Sequence, residues 1–174
     1  MTAPLLEARR IDSDTYRSVM RHLPTGVAAI CATDPVTRAQ NGMIVGTFAS
    51  LSMDPPLVTF SVTHTSTSWP KILEADIFSV SLLAEDQQQV CRALSSKGED
   101  KFSSISWSES LWGTPHIRGS LAWFDCRIEQ QFTAGDHAVV IASVLEMTSG
   151  EGAPLIFHGG TFGTFSESRP TPHS

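Results

Sequence analysis

Short runs of β-branched and aromatic residues, separated by turn-forming residues, recur between positions 27 and 165 and constrain the fold of this chain most strongly. Such runs predict strands, and Gly159-Gly160 is a strong signal for a two-residue β-hairpin. The predicted strands occupy residues 27–32, 42–47, 57–62, 77–83, 120–132, 137–148, 155–158 and 161–165. Because most neighbouring strands are joined by short connections, we predict an antiparallel barrel rather than a doubly wound sheet.

Three short helices are predicted beside the strands. The first begins at a cap, Asp12 or Ser13, and runs to about Arg21. Its apolar stripe consists of Tyr16, Val19, Met20 and Leu23. A second helix begins at Ser68-Trp69-Pro70, where a capping hydroxyl precedes a proline, and ends near residue 75. A third spans 85–95, and a loop is predicted at 103–119. The predicted fold class is therefore mainly β with peripheral helices.

The charge balance bears on the partners of the protein. Lysine and arginine number 12, aspartate and glutamate 18, and the formal net charge is −6. Because a nucleic-acid surface usually needs a basic face, we predict no nucleic-acid partner. An anionic cofactor remains compatible, since a few placed donors suffice to bind phosphate. The length of 174 residues predicts one domain, residues 12–166, flanked by a flexible arm (1–11) and a flexible tail (167–174).

Targeting signals and cysteine usage also bear on the setting of the protein. The first residues contain no apolar signal-peptide core, and no apolar run approaches bilayer-spanning length. We therefore predict no membrane association and a cytoplasmic location. Cys31, Cys91 and Cys126 are too few and too scattered for a zinc site or a disulfide framework. No metal site is predicted, and Cys31 and Cys126 are interpreted as buried thiols.

Small and hydroxylated residues accompany two of the predicted strands. The two groups are Gly42, Gly46, Thr47, Ser50 and Ser52, and then Thr65, Ser66, Thr67 and Ser68. Small side chains let a flat ring lie against backbone N–H groups, whereas hydroxyls suit a phosphate. The alternative for the second group is a serine-capped helix start, which also favours an anion, so both interpretations can hold. The pattern predicts a cofactor site.

Seven short motifs follow one another along the chain. They are M-R-H-L-P-T-G-V-A at 20–28, N-G-M at 41–43, S-L-S-M-D-P-P-L-V at 50–58, S-W-P at 68–70, D-K-F at 100–102, G-S-L-A-W-F-D-C at 119–126 and A-G-D-H at 134–137. Each is weak alone, but the ordered set is specific. By these motifs the chain, from about residue 16 to 165, resembles the short-chain flavin reductases, the reductase components of two-component flavin-dependent monooxygenases.

The resemblance implies an FMN-binding split barrel, an antiparallel Greek-key fold that is usually a homodimer. It implies that NADH or NADPH is oxidised and that reduced FMN or FAD diffuses to a separate monooxygenase. Such a site needs neither a nucleophile nor a metal, because the cofactors perform the hydride transfer themselves. A binding groove without a catalytic triad is therefore expected.

The resemblance also implies which residues form the site. Those expected to contact the isoalloxazine ring, through backbone and small side chains, are Ile44, Val45, Gly46, Thr47, Ser61, Val62 and Thr63. Those expected on the phosphate side are Ser66, Thr67 or Ser68, with Lys101 and Phe102 closing over the phosphate. His137 is expected to lie against the nicotinamide and to position it.

Two positions depart from the pattern of the family. Position 44, often a hydroxyl residue in relatives, is isoleucine here, so only backbone contacts with the flavin are expected from it. The late segment, often aromatic-Arg-Gly-Arg-aromatic, reads His158-Gly159-Gly160-Thr161-Phe162. Both arginines are absent, which leaves the preference for NADH or NADPH open.

Several alternatives stand beside this interpretation. A flavin-binding electron carrier or storage module would need no pyridine-nucleotide turnover. A related barrel enzyme could act on a corrin or a pyridoxine phosphate, although the A-G-D-H and D-P-P motifs speak against the latter. Taken alone, Lys101 would be a solvated surface charge, and Asp136 beside His137 would simply bond backbone in a turn. His64 and His116 are interpreted as structural, and the four tryptophans as core or interface residues.

Overall fold

The computed structural model describes residues 11–98 and 100–166. The helices are α1 (Ser13–Met20), α2 (Trp69–Leu73) and α3 (Gln88–Ser95). The strands are β1 (Thr25–Gly26), β2 (Ala28–Thr33), β3 (Gln40–Val45), β4 (Ala49–Met53), β5 (Pro56–Thr63), β6 (Ile77–Leu82), β7 (Trp107–Glu109), β8 (Pro115–Ile117), β9 (Ala122–Ala134), β10 (His137–Ser149), β11 (Leu155–His158) and β12 (Thr161–Thr164). The predicted arm, apart from Ile11, and the predicted tail lie outside the described residues.

One antiparallel sheet of seven strands, in the order β3-β2-β6-β9-β10-β5-β4, forms the body of the protein. Its strand ladders are antiparallel throughout. A three-stranded sheet, β1-β11-β12, and the hairpin β7-β8 accompany it. The prediction of a mainly β antiparallel fold with peripheral helices is confirmed.

The two edge strands of the large sheet are β3 and β4. The Thr47 side chain joins the segment after β3 to β5, the strand next to β4. The Thr47 hydroxyl follows directly after β3 and reaches the backbone of Ser61 on β5. It accepts a hydrogen bond from the Ser61 N–H at 2.9 Å and donates one to the Ser61 carbonyl at 3.2 Å. Two hydrogen bonds of the Thr47 hydroxyl thus join the segment after β3 to β5.

The core has two layers, one on each side of β2. The inner layer fills the barrel and includes Ile30, Phe60, Phe78, Val80 and Val140. The outer layer lies between the sheet and the elements that cover it, and includes Cys31, Leu83, Leu94, Ile117 and Leu155. Because β2 sends alternate residues into each layer, all six of its residues are buried. This explains why residues 27–32 read as a continuous apolar run.

The helix α1 forms where it was predicted, and its apolar stripe is exposed. Asp12 caps it by accepting hydrogen bonds from the N–H groups of Asp14 and Thr15 at 3.0 and 2.9 Å. No residue of this helix is buried, and the stripe of Tyr16, Val19, Met20 and Leu23 is exposed along its length and just beyond it. The apolar face of α1 therefore does not belong to the core of the described chain.

The start of α2 and part of the predicted loop at 103–119 require correction. Ser68 makes no capping bond; instead Ser66 Oγ accepts a hydrogen bond from the Trp69 N–H at 3.2 Å. The hairpin β7-β8 lies inside the predicted loop, and the edge strand β4 was not predicted. The helix α3 begins at Gln88 rather than at residue 85.

Candidate functional site

One outer face of the barrel carries the hydroxyls and the histidine that the resemblance assigns to a cofactor site. Along β5, Val62 points into the barrel while Ser61 and Thr63 lie half-buried outside. His137, the first residue of β10, is paired directly with Thr63, and directly paired residues project to the same side of a sheet. Thr47 reaches the same region through its bonds to Ser61. We call this surface, formed by Thr47, Ser61, Thr63 and His137, the open face.

The segment at the end of β3 is placed beside this face and beside an apolar cavity. Val45 and Val62 are 6% and 2% exposed and point into the barrel, so each can offer a ring only main-chain atoms. Ile44 points the other way and packs against the outer layer of the core. With Gly46 and Phe157 it lines a cavity of about 290 Å³. The main chain of Ile44 and Val45 thus lies at the edge of the sheet, at the end of β3.

A polar cavity of about 200 Å³ lies where β3, α2 and the end of α3 meet. The residues lining this lysine cavity are Gln40, Asn41, Gly42, Thr67, Ser68, Lys71, Lys97, Gly98 and Lys101. Thr67, Ser68 and Lys101 were expected there, whereas Ser66 caps α2 and does not line it. Lys71 and Lys97 were missed, because each is a single lysine in a polar segment and only the fold brings the two together.

The ammonium group of Lys101 is held by three acceptors. Its Nζ donates hydrogen bonds to the Leu94 carbonyl and Ser68 Oγ, both at 2.9 Å, and to the Gly42 carbonyl at 3.3 Å. Burial, and then the neighbouring charge of Lys71, lower the pKa of Lys101. An ammonium has three N–H donors, and all three are engaged. Lys101 therefore fixes the walls of the cavity and contributes positive charge rather than a free donor.

Phe102 belongs to the outer layer of the core, next to Lys101. Its ring packs edge-on against Trp107, with centroids 6.3 Å apart. A Cβ at Gly42 would lie 2.8 Å from Leu94 Cδ2 and 3.0 Å from Phe102 Cε2. A side chain at position 42 would therefore crowd Leu94 and Phe102, and Phe102 lies directly beside Lys101 in the chain.

The histidine of the A-G-D-H motif has a carboxylate partner. His137 Nδ1 lies 2.7 Å from Asp136 Oδ1, and the histidine side chain is 43% exposed. A carboxylate can only accept, so Nδ1 carries the proton and Nε2 remains to meet a ligand. The hydrogen bond and the charge of His137 lower the pKa of Asp136. The main-chain carbonyl of Asp136 accepts a hydrogen bond from the His64 N–H at 3.0 Å.

A second polar cluster lies apart from these residues and shares none of them. The Asp125 carboxylate, 1% exposed, accepts hydrogen bonds from Ser110 at 3.0 Å and from Thr114, and lies 3.1 Å from His116 Nε2. The His116 ring stacks on Trp123 with centroids 6.3 Å apart. Burial raises the pKa of Asp125, but the hydrogen bonds from His116 and Thr114 outweigh it and lower that pKa overall. The cluster ties the β7-β8 hairpin to β9, consistent with a structural His116.

The described residues form neither a cluster of metal ligands nor a membrane-spanning helix. Within residues 11–98 and 100–166, no three histidine, cysteine, aspartate or glutamate side chains are grouped so that they could hold a metal ion. In the same part of the chain, no helix combines the length and apolar character that crossing a bilayer requires.

Comparison with known proteins identifies relatives over nearly the whole chain. A flavin reductase of Pseudomonas putida is 44% identical over 157 residues, which cover 90% of this chain and 92% of that protein. The reductase subunit HsaB of a flavin-dependent monooxygenase of Rhodococcus jostii is 38% identical over 170 residues, 95% of this chain and 84% of the relative.

Comparison with solved structures gives the same result for the fold. A homologue of nitrilotriacetate monooxygenase component B from Mycobacterium thermoresistibile matches with a TM-score of 0.85 and 35% identity, over 92% of this chain and 90% of that one. The predicted split-barrel fold is thereby confirmed. The sequence model of the flavin reductase like domain matches residues 20–166. The chain therefore belongs to the flavin reductase like domain family.

Proposed function

We propose that this protein is an NAD(P)H-dependent flavin reductase that passes hydride to FMN or FAD and supplies the reduced flavin to a separate flavin-dependent monooxygenase. The observation that carries the proposal is the convergence of Thr47, Ser61, Thr63 and His137 on one open face. Membership of the flavin reductase like family, and relatives that serve as reductases of monooxygenases, support it.

In the proposed site, the flavin ring is held largely by main chain. Ile44, Val45, Gly46 and Val62 provide backbone atoms, because the valines point inward and Ile44 packs outward. Thr47, Ser61 and Thr63 provide hydroxyls on the open face. Donors fixed in the fold stabilise the electron-rich reduced ring without reorganising. Hydride transfer from nicotinamide to flavin is chemistry that the bound cofactors supply themselves.

The proposed flavin phosphate site is the lysine cavity. Thr67 and Ser68 offer hydroxyls, and Lys71 and Lys97 offer cationic groups that the walls of the cavity place together. Lys101 and Phe102 act behind them, as a fixed charge and its support. Since the protein carries a net charge of −6, a local group of three lysines is what concentrates an anion at this point.

His137 is proposed to position the nicotinamide. Asp136 accepts a hydrogen bond from Nδ1–H, so the ring presents Nε2 in a fixed orientation. Because the reaction moves hydride and no proton donor is needed at the reacting carbon, orientation is the role that the geometry supports.

The oligomeric state, the domain bounds and the cellular location of the protein can be proposed as well. We propose a homodimer of chains whose residues 12–166 form one reductase domain, with an arm (1–11) and a tail (167–174) that are not required for turnover. A cytoplasmic location fits the free, buried thiols of Cys31, Cys91 and Cys126. Sedimentation at micromolar concentration tests the dimer, and turnover by a 12–166 fragment tests the domain.

A kinetic matrix of NADH and NADPH with FMN and FAD tests the function. We expect nucleotide oxidation only when a flavin is added, with one nucleotide and one flavin preferred. Absence of turnover in all four combinations would overturn the proposal. Flavin that copurifies tightly without any nucleotide oxidation would instead favour the carrier or storage module.

A further inference from the structure

The β7-β8 hairpin lies next to the lysine cavity without lining it. Trp107, the first residue of β7, is half-buried and packs edge-on against Phe102, with ring centroids 6.3 Å apart. Phe102 follows Lys101 in the chain, and its Cε2 would lie 3.0 Å from a Cβ at Gly42, a residue of the cavity wall. One aromatic contact therefore connects the hairpin to the segment that carries Lys101.

Hydrogen bonds hold the hairpin against three strands of the large sheet. At its turn, the Gly113 carbonyl accepts a hydrogen bond from Thr33 Oγ1 on β2 at 2.9 Å. On β8, the Ile117 N–H donates to Ser81 Oγ on β6 at 3.2 Å, and the Ile117 carbonyl accepts from Trp123 Nε1 on β9 at 2.7 Å. The Ile117 side chain is fully buried. The hairpin is therefore a fixed support for side chains that pack against it.

Trp107 is held within this hairpin by its main chain and its ring. It pairs directly with Ile117, and its carbonyl accepts a hydrogen bond from Arg118 Nε at 3.1 Å. Its ring packs against the outer layer of the core, as the ring of Phe102 does. A tryptophan side chain has two rotatable angles, so a ring packed in this way has little freedom. Trp107 can thus restrain the ring of Phe102.

Lys101 lies in a turn, residues 101–104, rather than in a helix or a strand. One hydrogen bond of this turn is local, since the Ile105 N–H donates to the Phe102 carbonyl at 3.1 Å. Because no ladder or helix fixes such a segment, its position depends on the side chains that anchor it. The anchors here are the three bonds of the Lys101 ammonium and the packing of Phe102 on Trp107.

We propose that Trp107 is a positioning residue for the flavin phosphate, acting through Phe102 on the turn that carries Lys101. The inference rests on the proposed function, which assigns the phosphate to the lysine cavity. A cation that is already fixed binds an anion without reorganisation, and a small displacement of a binding group weakens its effect strongly. Without the Trp107 ring, Phe102 can shift and the Lys101 ammonium can leave its acceptors, so the cavity binds phosphate less well.

The test compares FMN with riboflavin, which carries no phosphate, as hydride acceptors from the nucleotide that the wild type prefers. In Trp107→Leu we expect KM for FMN to rise about fivefold to tenfold with kcat nearly unchanged, because part of a charge-assisted contact is lost. We expect KM for riboflavin and KM for the nucleotide to stay as in the wild type. Equal rises for FMN and riboflavin, or an unchanged KM for FMN, would overturn the inference and leave the reductase function standing.

A double-mutant cycle shows whether Trp107 acts through Lys101. Lys101→Ala should itself raise KM for FMN, and adding Trp107→Leu to that variant should raise it little further, because residues that act as a unit are not additive. If Trp107→Leu raised KM for FMN by the same factor in both backgrounds, Trp107 would act independently of Lys101 and the inference would fail.

Three further variants serve as controls. Trp112→Leu changes the exposed tryptophan of the same hairpin, whose indole bonds to Glu146, and should leave KM for FMN unchanged. Trp107→Phe keeps an aromatic ring against Phe102, so an intermediate KM is expected even if the leucine variant folds poorly. Leu83→Ala truncates a buried side chain of the outer layer that does not line the lysine cavity. If Leu83→Ala raised KM for FMN as much as Trp107→Leu does, the effect would be general loosening of the core, and the inference would fail.

A binding measurement separates this inference from the proposed function. Titration of flavin fluorescence needs no nucleotide, and we expect the wild type to bind FMN more tightly than riboflavin and Trp107→Leu to narrow that difference. If the proteins behave so but the wild type oxidises no nucleotide, the reductase function fails and the positioning role stands. Equal affinities of the wild type for FMN and riboflavin would refute the phosphate site, and with it the role of Trp107, even in a protein that oxidises nucleotide.

Discussion

The outer surface of the barrel differs between β2, which other elements cover, and β5, which lies open. Where α3 and the β7-β8 hairpin cover the sheet, the outward residues of β2, Ala29 and Cys31, are fully buried in one cluster with Leu94 and Ile117. On the open face, the outward residues of β5 are half-buried hydroxyls beside His137. The barrel interior beneath both is uniformly apolar. We therefore expect mutation on the covered face to affect stability and mutation on the open face to affect binding.

Truncation on the covered face should have the largest effect on stability. Leu94 is 1% exposed in the outer layer of the core, and Leu94→Ala should destabilise the fold by about 2–5 kcal/mol. Thr63→Val, on the open face, should change the free energy of unfolding by less than about 0.5 kcal/mol. Urea denaturation measures both, and similar losses at the two positions would break the distinction between the faces.

On the open face, removal of the histidine should affect turnover instead. His137→Ala should lower kcat/KM for NADH about tenfold to a hundredfold, a loss of roughly 1.4–2.7 kcal/mol of transition-state stabilisation. Asp136→Asn should have a smaller effect, because the amide oxygen can still accept a hydrogen bond from Nδ1–H of His137. Thermal melting should show both variants folded. Unchanged kinetics in His137→Ala would remove the histidine from the site.

Gly42 lies where the covered face meets the lysine cavity, so one substitution should disturb both properties. The added methyl of Gly42→Ala would crowd Leu94 and Phe102, at a cost of about 1–3 kcal/mol. Flavin affinity should fall as well, because Gly42 also accepts a hydrogen bond from Lys101. Gly163→Ala is the matched control, since no atom lies within 4 Å of its added carbon. A destabilised Gly42→Ala protein with normal flavin affinity would show that the cavity tolerates movement of its wall.

The smallest effect concerns acid stability on the covered side. The pKa of Asp125 is lowered in the folded protein, so its stabilisation is complete above the unfolded pKa and is lost as pH falls through the folded pKa. We expect the melting temperature of the wild type to fall below about pH 4, and that of Asp125→Asn to depend less on pH. Thr114→Val removes one hydrogen bond and should begin this loss at higher pH. If the melting temperatures of all three proteins fell equally with decreasing pH, the loss of stability would come from other carboxylates.

The sequence predicted the regular parts of the fold because they follow local rules. Gly159-Gly160 marks the last hairpin, and the apolar run at 27–32 marks a strand buried on both faces. The strand β4 was missed because an exposed edge strand with mixed polarity has no clear alternation. The hairpin β7-β8 was missed because its two strands are only three residues each.

The candidate site was predictable only as far as the motifs extended. The A-G-D-H motif led to His137, and the structure adds its contact with Asp136. The meeting of Lys71 and Lys97 at one cavity depends on which segments lie together in space, which no spacing along the chain encodes. Lys101 was expected to close over the phosphate, and the structure adds that its ammonium donates three internal hydrogen bonds.

Those three bonds imply that Lys101 is preorganised. Its ammonium is immobilised during folding. The rotamer entropy of a lysine, about 1.5–2 kcal/mol, is therefore lost on folding and not when an anion binds. The three acceptors at Leu94, Ser68 and Gly42 match the three N–H donors of a compact ammonium and not a planar guanidinium. Arginine at position 101 would keep the positive charge but could not make the same three hydrogen bonds, so the cavity would lose its preorganised cation.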